Sequence, residues 1–269
     1  MVAQSIIFSI FTPHTLCPQR LLYRLGCKVV AVIEKYRTMG KKKLVVLTGA
    51  GMSAESGIST FRDSGGLWEK YNVEDVASIE GWHRNPALVQ EFYNARRKQL
   101  VTVQPNDGHR ALAALEQDYD VRIITQNVDN LHERAGSTQV LHLHGELMKV
   151  RSTRDESRIY ELTPDHCEIT MESRDEYGDT MRPHIVFFGE AVPMIEPAIE
   201  LTEQADIYVV IGTSLNVYPA AGLLHYVRRG TPIYLIDPQP VNAPAGMNIH
   251  FIAKGATQGV AELIELLKK

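Results

Sequence analysis

The chain has 269 residues, of which 44% are hydrophobic and 22% charged, which is enough apolar material for one large domain with or without a small satellite. A net charge of -4 gives no reason to expect nucleic-acid binding, and the one basic run, residues 41–43, is typical of the solvated start of a strand. Cys17, Cys27 and Cys167 are too scattered for a disulfide framework and favour a reducing compartment, and no apolar run is long enough to cross a bilayer.

Residues 1–38 differ from the rest of the chain. The segment is basic and has no acidic residue before Glu34, but its apolar stretch is too short for a secretory signal. A transit-like peptide is one interpretation. The interpretation we favour is that Met39 is the native start and that the upstream residues are an extension. We therefore expect the main folded domain over 39–269, and a cytoplasmic location on the condition that 1–38 is not a working transit peptide.

Short apolar runs and helical patterns alternate along the catalytic region. The runs predict strands buried on both faces at 44–47, 121–125, 140–143, 207–211 and 232–236. Helices are predicted from Ser53 and over 85–101, 108–117, 196–204, 220–229 and 259–269. This alternation predicts an α/β fold, a Rossmann-like open parallel sheet with helices on both faces. Residues 63–106 and 149–183 interrupt the pattern, and we expect them to build a smaller inserted module.

A glycine-rich loop, residues 49–57, joins the first strand to the first helix. Backbone N–H groups in such a loop, together with a helix N-terminus, suit a pyrophosphate. The spacing departs from the ordinary dinucleotide fingerprint, which has a third glycine three residues after the second. From the loop alone, a tight strand-to-helix turn without a ligand remains an alternative.

Several motifs then occur in an order that resembles the sirtuin family. The run from Thr48 to Asp63 is similar to the opening motif of that family. Further matches are TQNVDNLH at 125–132, LHG at 143–145, PHIVFFGE at 183–190 and GTSLNV at 212–217. The resemblance covers residues 44–269 and leaves 1–38 without a counterpart. It implies an NAD-dependent protein-lysine deacylase that yields nicotinamide, O-acyl-ADP-ribose and free lysine.

The resemblance implies a catalytic set of His144, Asn127 and Asp129. His144 would be the general base that activates a ribose hydroxyl, a task that suits imidazole because its ordinary pKa lies near working pH. From the residues alone, His142 is an equal candidate, since side chains two apart on a strand point the same way. Asn127 and Asp129 would face nicotinamide. They are also typical turn residues, but the carboxyl end of a strand favours a ligand-binding role.

The resemblance also implies where NAD, consumed as co-substrate, would bind. Phe61 would shield the sugar from water, and Gln126 would bind ribose hydroxyls. The implied set is Gly49, Ala50, Gly51, Ser53, Phe61, Arg62, Trp68, Gln126, Asn127, Val128, Asp129, Gly212, Thr213, Ser214, Leu235, Asp237 and Ala256. The family often has asparagine at the place of Leu235, so Asp237 is the alternative for that contact.

The expected partner is an acylated lysine of a protein substrate, bound as an added strand between residues 186–190 and 216–218. Tyr93 and Arg96 are three apart and share one helix face. This pair resembles sirtuins that remove succinyl and malonyl groups, in which a phenol and a guanidinium hold the terminal carboxylate. An incidental Tyr–Arg face with plain deacetylation is the alternative, and we expect deacetylation to coexist. The implied substrate set is Tyr93, Arg96, Val186, Phe188, Gly189, Glu190 and Val217.

Most sirtuins carry two Cys-x-x-Cys pairs that bind a structural zinc ion. Here Ser152 and Asp155 stand in place of the first pair, and Cys167 is the one thiol in the segment 149–183, so we expect no zinc. A site made of His166, Cys167 and His184 is an alternative without an evident fourth ligand. We expect charge pairs, helped by apolar packing, to hold the module together. The candidates are Arg151, Arg154, Arg158 and Arg174 with Asp155, Glu156, Glu161, Glu172, Asp175 and Glu176, and Ile159, Tyr160, Leu162 and Ile169 for the packing.

Two other functions stay open on the same fold. One is an NAD-dependent protein ADP-ribosyltransferase, which Tyr93 and Arg96 disfavour because they point to an acyl-lysine ligand. The other is a catalytically silent NAD-binding module, which the intact Asn127, Asp129 and His144 disfavour. We expect a monomer with no nucleic-acid or membrane partner.

Overall fold

A computed structural model describes Thr38, residues 40–58, 71–241 and 246–268. The chain divides into two units, 1–41 and 42–269. In the first unit the description is limited to three residues, among which the Lys41 amide donates to the Thr38 carbonyl at 3.0 Å. Everything below concerns the second unit. The predictions for residues 1–37 and the assignments of Phe61, Arg62 and Trp68 lie outside the described ranges.

The described part of the second unit contains nine strands in two sheets. In chain order they are β1 (Lys43–Thr48), β2 (Asp120–Thr125), β3 (Val140–His142), β4 (Gly145–Ser152), β5 (Ile159–Glu161), β6 (Met181–Ile185), β7 (Ile207–Ile211), β8 (Ile233–Ile236) and β9 (Ile249–Ile252). Six of them form one parallel sheet in the order β3-β2-β1-β7-β8-β9. The predicted α/β fold with an open parallel sheet is confirmed.

The central strands are buried on both faces, which explains their continuous apolar sequence. Leu44 and Val46 point into one apolar layer, and Val45 and Leu47 point into the other, all with no exposed surface. The first layer packs against the C-terminal helix through Val260. Each face of the sheet is therefore covered, and the strand ends remain as the places where polar side chains can gather.

Eight α-helices accompany the strands in the described residues. They are α1 (Ala50–Ala54), α2 (Val73–Val76), α3 (Ile79–Arg84), α4 (Pro86–Thr102), α5 (Asp107–Ala114), α6 (Leu131–Arg134), α7 (Ile195–Glu203) and α8 (Ala256–Leu267). Side-chain oxygens cap the two helices before β2: Asn85 accepts from the Leu88 amide, and Asn106 accepts from the His109 amide. Pro86 occupies the first turn of α4, where no N–H is needed.

Two helix predictions are wrong in detail. The helix placed from Ser53 begins at Ala50 and lasts little more than one turn. The helix predicted over 220–229 is a 3₁₀ segment, Ala220–Tyr226, in which the Gly222 amide bonds the Pro219 carbonyl three residues back. Glycine in its middle weakens the α-helical alternative.

The second sheet is antiparallel, with the order β5-β4-β6. A third apolar cluster joins this module to α4, where Phe92 and Tyr93 pack with Leu147, Ile185 and Phe187. The sequence predicted a separate module here but not its strands, because β5 is exposed at both ends and carries no apolar run. None of the helices in the described ranges combines the length and apolar character that a membrane span requires.

Candidate active site

The strand order reverses direction between β1 and β7, and the loops that follow these two strands pack on each other. The Gly51 amide donates to the Gly212 carbonyl at 2.9 Å, and the Gly49 amide donates to the Ile211 carbonyl at 3.0 Å. A Cβ on Gly51 would lie 2.7 Å from the Cα of Gly212. Close backbone approach therefore explains these glycines, and the two amides are already used within the protein. The place itself, the carboxyl edge at a reversal of strand order, is where open α/β sheets bind ligands.

Asn127, Asp129 and Ser53 form a hydrogen-bonded cluster beside this loop. The Asn127 side-chain amide donates to the Gly49 carbonyl at 3.0 Å and to the Ser53 hydroxyl at 3.1 Å. Ser53 in turn donates to the Asp129 carboxylate at 2.9 Å. Burial raises the pKa of Asp129, and the hydrogen bonds from Leu131 and Ser53 oppose this shift only in part. The cluster offers amide and carboxyl groups, two of its three residues being buried, and this chemistry suits the carboxamide of nicotinamide.

His144 bonds the backbone of Gln126, the residue before Asn127. Its Nδ1 is 3.0 Å from the Gln126 carbonyl oxygen. Since a carbonyl can only accept, we assign the proton to Nδ1, which leaves Nε2 as the basic nitrogen. Burial lowers the pKa of His144, and the Gln126 carbonyl opposes the shift. The ring is therefore neutral at working pH and can take a proton on Nε2.

The surroundings of His142 shift its pKa in the opposite direction. Its Nδ1 is 3.3 Å from the Asn127 carbonyl, and its Nε2 is 2.7 Å from the Glu133 carboxylate, so both nitrogens face acceptors. Burial lowers the pKa of His142, but Glu133, the charge of Glu146 and the Asn127 carbonyl outweigh burial and raise it. A ring that donates from both nitrogens cannot act as a base. The structure thus separates two histidines that the sequence left equal, and it favours His144.

Gln126 connects His144 to both loops of the cleft. Its backbone amide donates to the Thr48 carbonyl at 2.9 Å, directly before the glycine loop. Its side-chain amide donates to the Thr213 hydroxyl at 3.2 Å, in the loop after β7. The imidazole of His144 and the glycine loop therefore belong to one hydrogen-bonded network. Ser214 is half-buried in the same loop as Thr213, and Val128 follows in the Gln126 segment.

Of the three residues assigned to the adenine end of NAD, two lie at the ends of secondary-structure elements and one lies in the core. Asp237 is buried directly after β8 and accepts from the Gln239 amide at 2.9 Å. Ala256 opens α8 and is buried. The assignment of Leu235 is wrong for its side chain, which lies in the apolar layer with Leu47 and Val210. Leu235 sits two residues inside the strand, so its side chain packs in the core while Asp237 stands at the strand's end.

Tyr93 and Arg96 lie on one face of α4, as their spacing predicts. The Tyr93 ring centroid is 5.8 Å from that of Phe187, and the Arg96 guanidinium carbon is 5.9 Å from the Tyr93 ring. Burial raises the pKa of Tyr93 to about 12, so its phenol remains a donor. Burial lowers the pKa of Arg96, while Tyr93 and Asp129 act in the opposite direction. Arg96 is therefore within electrostatic reach of both Tyr93 and Asp129.

The segment 186–190 makes more hydrogen bonds within the protein than the sequence analysis expected. The backbone of Phe188 forms a β-bridge with the segment around Ser78. The Phe188 amide donates to the Ala77 carbonyl at 2.8 Å, and the Phe188 carbonyl accepts from the Ile79 amide at 3.0 Å. The Val186 amide donates to the His144 carbonyl at 3.0 Å. These three backbone groups are therefore already used within the protein, and the predicted pairing with a substrate would have to use other groups of the segment.

Glu190 is also engaged inside the protein. Its carboxylate accepts from Arg182 at 2.7 and 3.0 Å and from the Phe187 amide at 2.7 Å. Burial raises the pKa of Glu190, but these partners and Arg151 outweigh burial and lower it. Its carboxylate fixes the turn from Phe187 to Glu190, which contains Gly189. What the segment presents outward is Gly189 itself and the half-exposed Phe188 ring.

Sequence reasoning missed five supporting contacts of the site. Thr48 and Thr125 end adjacent strands in register, and their hydroxyls are 2.9 Å apart. The Thr48 hydroxyl also lies 3.2 Å from Nε2 of His132, and Thr125 accepts from the Asn127 amide. Two threonines at matching strand ends were a usable signal for this pair. No signal in the sequence indicated that Glu133 pairs with His142 or that Arg182 pairs with Glu190.

The residues of the small module do not fit a zinc site. Cys167 is buried, and His166, Cys167 and His184 do not come together as a ligand group. Within the described ranges, which include all of 149–183, no three His, Cys, Asp or Glu side chains are placed to bind a metal ion. A tetrahedral zinc site needs four such ligands.

Comparison with known proteins agrees with this geometry. The Sir2 family profile matches residues 49–219. The NAD-dependent protein deacylase of Bacteroides thetaiotaomicron is 63% identical over 229 residues, covering 84% of this chain and 98% of that protein. The NAD-dependent protein deacylase of Escherichia coli strain K12 is 50% identical over 214 residues, covering 77% of this chain and 74% of the relative.

Two solved structures are similar over most of their length. A mutant Sir2 homologue in complex with ADP-ribose aligns with a TM-score of 0.77 at 37% identity, covering 88% of this chain and 96% of that one. A Sir2 homologue in complex with NAD aligns with a TM-score of 0.76 at 37% identity, covering 88% and 93%.

Proposed function

This chain belongs to the Sir2 family of NAD-dependent protein deacylases, and from that premise we propose that it removes succinyl and malonyl groups from protein lysines, with acetyl groups as further substrates. The proposed products are nicotinamide, O-acyl-ADP-ribose and the unmodified lysine. The observation that carries the acyl preference is the pair of the buried Tyr93 and the half-buried Arg96 on one face of α4.

The surroundings of this pair explain why a carboxylate would be favoured. Tyr93 and Arg96 are packed among Phe92 and Phe187, where water is scarce and charges are weakly screened. The N–H groups of a guanidinium and the O–H group of a phenol can together hold one carboxylate by charge-assisted hydrogen bonds. An acetyl group offers no such partner, so only acidic acyl chains would use these donors.

The remaining roles follow from the same cleft. NAD, when bound, supplies the ribose carbon whose bond to nicotinamide is broken. Asn127 and Asp129 would orient the carboxamide, and Gln126 would hold ribose hydroxyls between the two loops. The Nε2 of His144 would accept a proton from one of these hydroxyls, since its Nδ1 is fixed by the Gln126 carbonyl. Phe61, Arg62 and Trp68 keep the roles that the family resemblance gives them.

The substrate chain would bind beside Gly189 and the segment 216–218. Gly189 has a φ of +90°, and among the described residues none bonds its backbone N–H or carbonyl. Val217 and Tyr218 are exposed, and the Val217 carbonyl already accepts from the Ala221 amide at 2.8 Å. Backbone pairing of this kind gives affinity with little side-chain reading, so we propose loose sequence selectivity.

The test compares acetyl- and succinyl-lysine forms of one peptide. For Arg96→Met, kcat/KM on the succinyl peptide should fall by about 10²-fold, the loss of a charge-assisted hydrogen bond worth roughly 3 kcal/mol. Activity on the acetyl peptide should stay within about threefold, because acetyl offers the guanidinium nothing to hold. Lys98→Met on the same helix, whose exposed ammonium pairs with Glu168, is the matched control. Equal loss on both peptides would contradict the acyl pocket.

A nicotinamide-release assay addresses the activity itself. Release that depends on an acyl-lysine peptide supports deacylation. Release without the peptide, together with labelled protein, would instead indicate ADP-ribosyl transfer, and no release would indicate a silent module. We further propose a monomeric, cytoplasmic protein that binds neither nucleic acid nor zinc. The net charge of -4 and the ligand-poor module support the last two points.

A further inference from the structure

The small module contains two tight turns that face each other. One follows β4, where Ser152 and Asp155 are spaced like the first cysteine pair of a zinc-binding relative. The other precedes β6, where the Gly178 amide bonds the Asp175 carbonyl at 3.0 Å. The Thr153 amide bonds the Thr180 carbonyl at 2.9 Å, which ties the turns at one side. In a zinc-bound module of this type a metal ion would join two such turns.

In this protein a guanidinium lies between the turns. The Arg158 side chain bonds the Ser152 hydroxyl at 2.9 Å and lies 3.6 Å from the Asp155 carboxylate in the first turn. It contacts the Asp175 carboxylate at 2.9 Å and also bonds the Asp179 carboxylate in the second turn. One planar cation thus touches a hydroxyl and three carboxylates that come from both turns.

The acceptors around Arg158 are prepared for a cation. The Asp175 side chain has no exposed surface and accepts from the Tyr177 and Asp179 amides at 3.0 and 2.9 Å. Burial raises the pKa of Asp175, but these amides and Arg158 outweigh burial and lower it, so the carboxylate is charged. The Tyr177 ring covers the guanidinium face at 4.5 Å. Among the described residues, Arg158 is the cation that pairs with the buried Asp175 carboxylate, so removing it would leave that carboxylate without its ion pair.

We propose that the guanidinium of Arg158 is the structural replacement for a zinc ion in this module. Its planar N–H donors reach acceptors on both turns, which the single ammonium of a lysine on a flexible stem would not reproduce. Two consequences distinguish it from a metal. The module needs no metal supply and is indifferent to chelators, whereas a zinc module unfolds when its ion is removed. The clamp also depends on ionised carboxylates, so acid weakens it.

The experiment uses the full-length protein and measures thermal unfolding and limited proteolysis of the module. Arg158→Met should lower the Tm by about 5 °C or more and expose the segment 153–180 to protease, since it leaves Asp175 without its cation. Arg158→Lys should recover less than half of the loss. Arg154→Met is the matched control, because that side chain is 81% exposed and reaches Asp179 at only 3.5 Å. It should shift the Tm by less than about 1 °C.

A second variant covers the case in which Arg158→Met does not fold. Adding Asp175→Asn to Arg158→Met removes the stranded charge, so the double variant should be more stable than Arg158→Met alone. Wild-type protein treated with a chelator should keep its Tm, and metal analysis should find no stoichiometric zinc. Any one of three results overturns the proposal: zinc at one equivalent, a chelator-induced fall in Tm, or an Arg158→Met variant as stable as wild type.

Discussion

Glu133→Gln tests whether His142 is an imidazolium. The Glu133 carboxylate is 2.7 Å from Nε2 of His142, and the two side chains are 40% and 8% exposed. A hydrogen bond between charged partners contributes about 1.5–3 kcal/mol when both are buried. Exposure of Glu133 screens the pair, so we expect about 1 kcal/mol. For a unit of this size, that corresponds to a fall in Tm of about 2–4 °C.

The sign of the pH dependence follows from the raised pKa of His142. The folded protein holds this proton more tightly than the unfolded chain, whose histidines titrate near about 6.5. The stabilisation is therefore complete below that value and is lost as pH rises through the pKa of the folded state. Glu133→Gln should cost the most near about pH 6 and progressively less toward about pH 9.

Thermal unfolding of wild type and variant across this pH range is the assay. Asp118→Asn, at an exposed acid in the turn before β2, is the control and should show no such trend. A cost that is equal at both ends of the range would refute the charged state of His142. It would also remove the physical reason for choosing His144 over His142 as the base.

Two further predictions concern packing and acid stability. Gly51→Ala places a Cβ 2.7 Å from the Cα of Gly212. It should lower the free energy of unfolding, measured by chemical denaturation, by about 1–3 kcal/mol and raise KM for NAD. Gly222→Ala is the control: its Cβ would meet only Tyr218 at 3.8 Å, so stability should hardly change. His109 is fully buried, and burial lowers its pKa to about 4. In the unfolded chain the same histidine takes up a proton near about pH 6.5, so the stability of the folded protein falls as pH drops below that value. His109→Phe should therefore remove about 2 kcal/mol of the stability lost between about pH 7 and pH 5, and an unchanged acid limb would contradict this.

The sequence predicted the central sheet well because its strands are buried on both faces. Leu44 to Leu47 have no exposed surface, so every position had to be apolar and the run was continuous. The edge strand β9 was missed because His250 and Phe251 face outward and break the run. β5 was missed for the same reason. Pattern reasoning detects burial, and strands that are half exposed carry a weaker signal.

The position of the site was predictable for a related reason. Asn127 and Gly212 both follow strands of one parallel sheet, so their loops had to meet at one edge. The states of the side chains were not predictable in this way. His142 and His144 differ because Glu133 reaches one ring and not the other. Such a difference depends on contacts that strand periodicity does not contain.

The four arginines expected to hold the small module show the same limit. Arg151 and Arg154 make only contacts of 3.5 Å or longer to carboxylates, and Arg174 bonds the carbonyls of Met171 and Ser173. Arg158 reaches both turns because antiparallel pairing of β4 and β5 sets it opposite Ser152, whose amide bonds the Arg158 carbonyl at 3.0 Å. Composition supplied the charges, but the strand register decided which of them became the clamp. A one-residue shift in that register would turn the guanidinium to the other face of the sheet, so the identity of the clamp is a property of the fold.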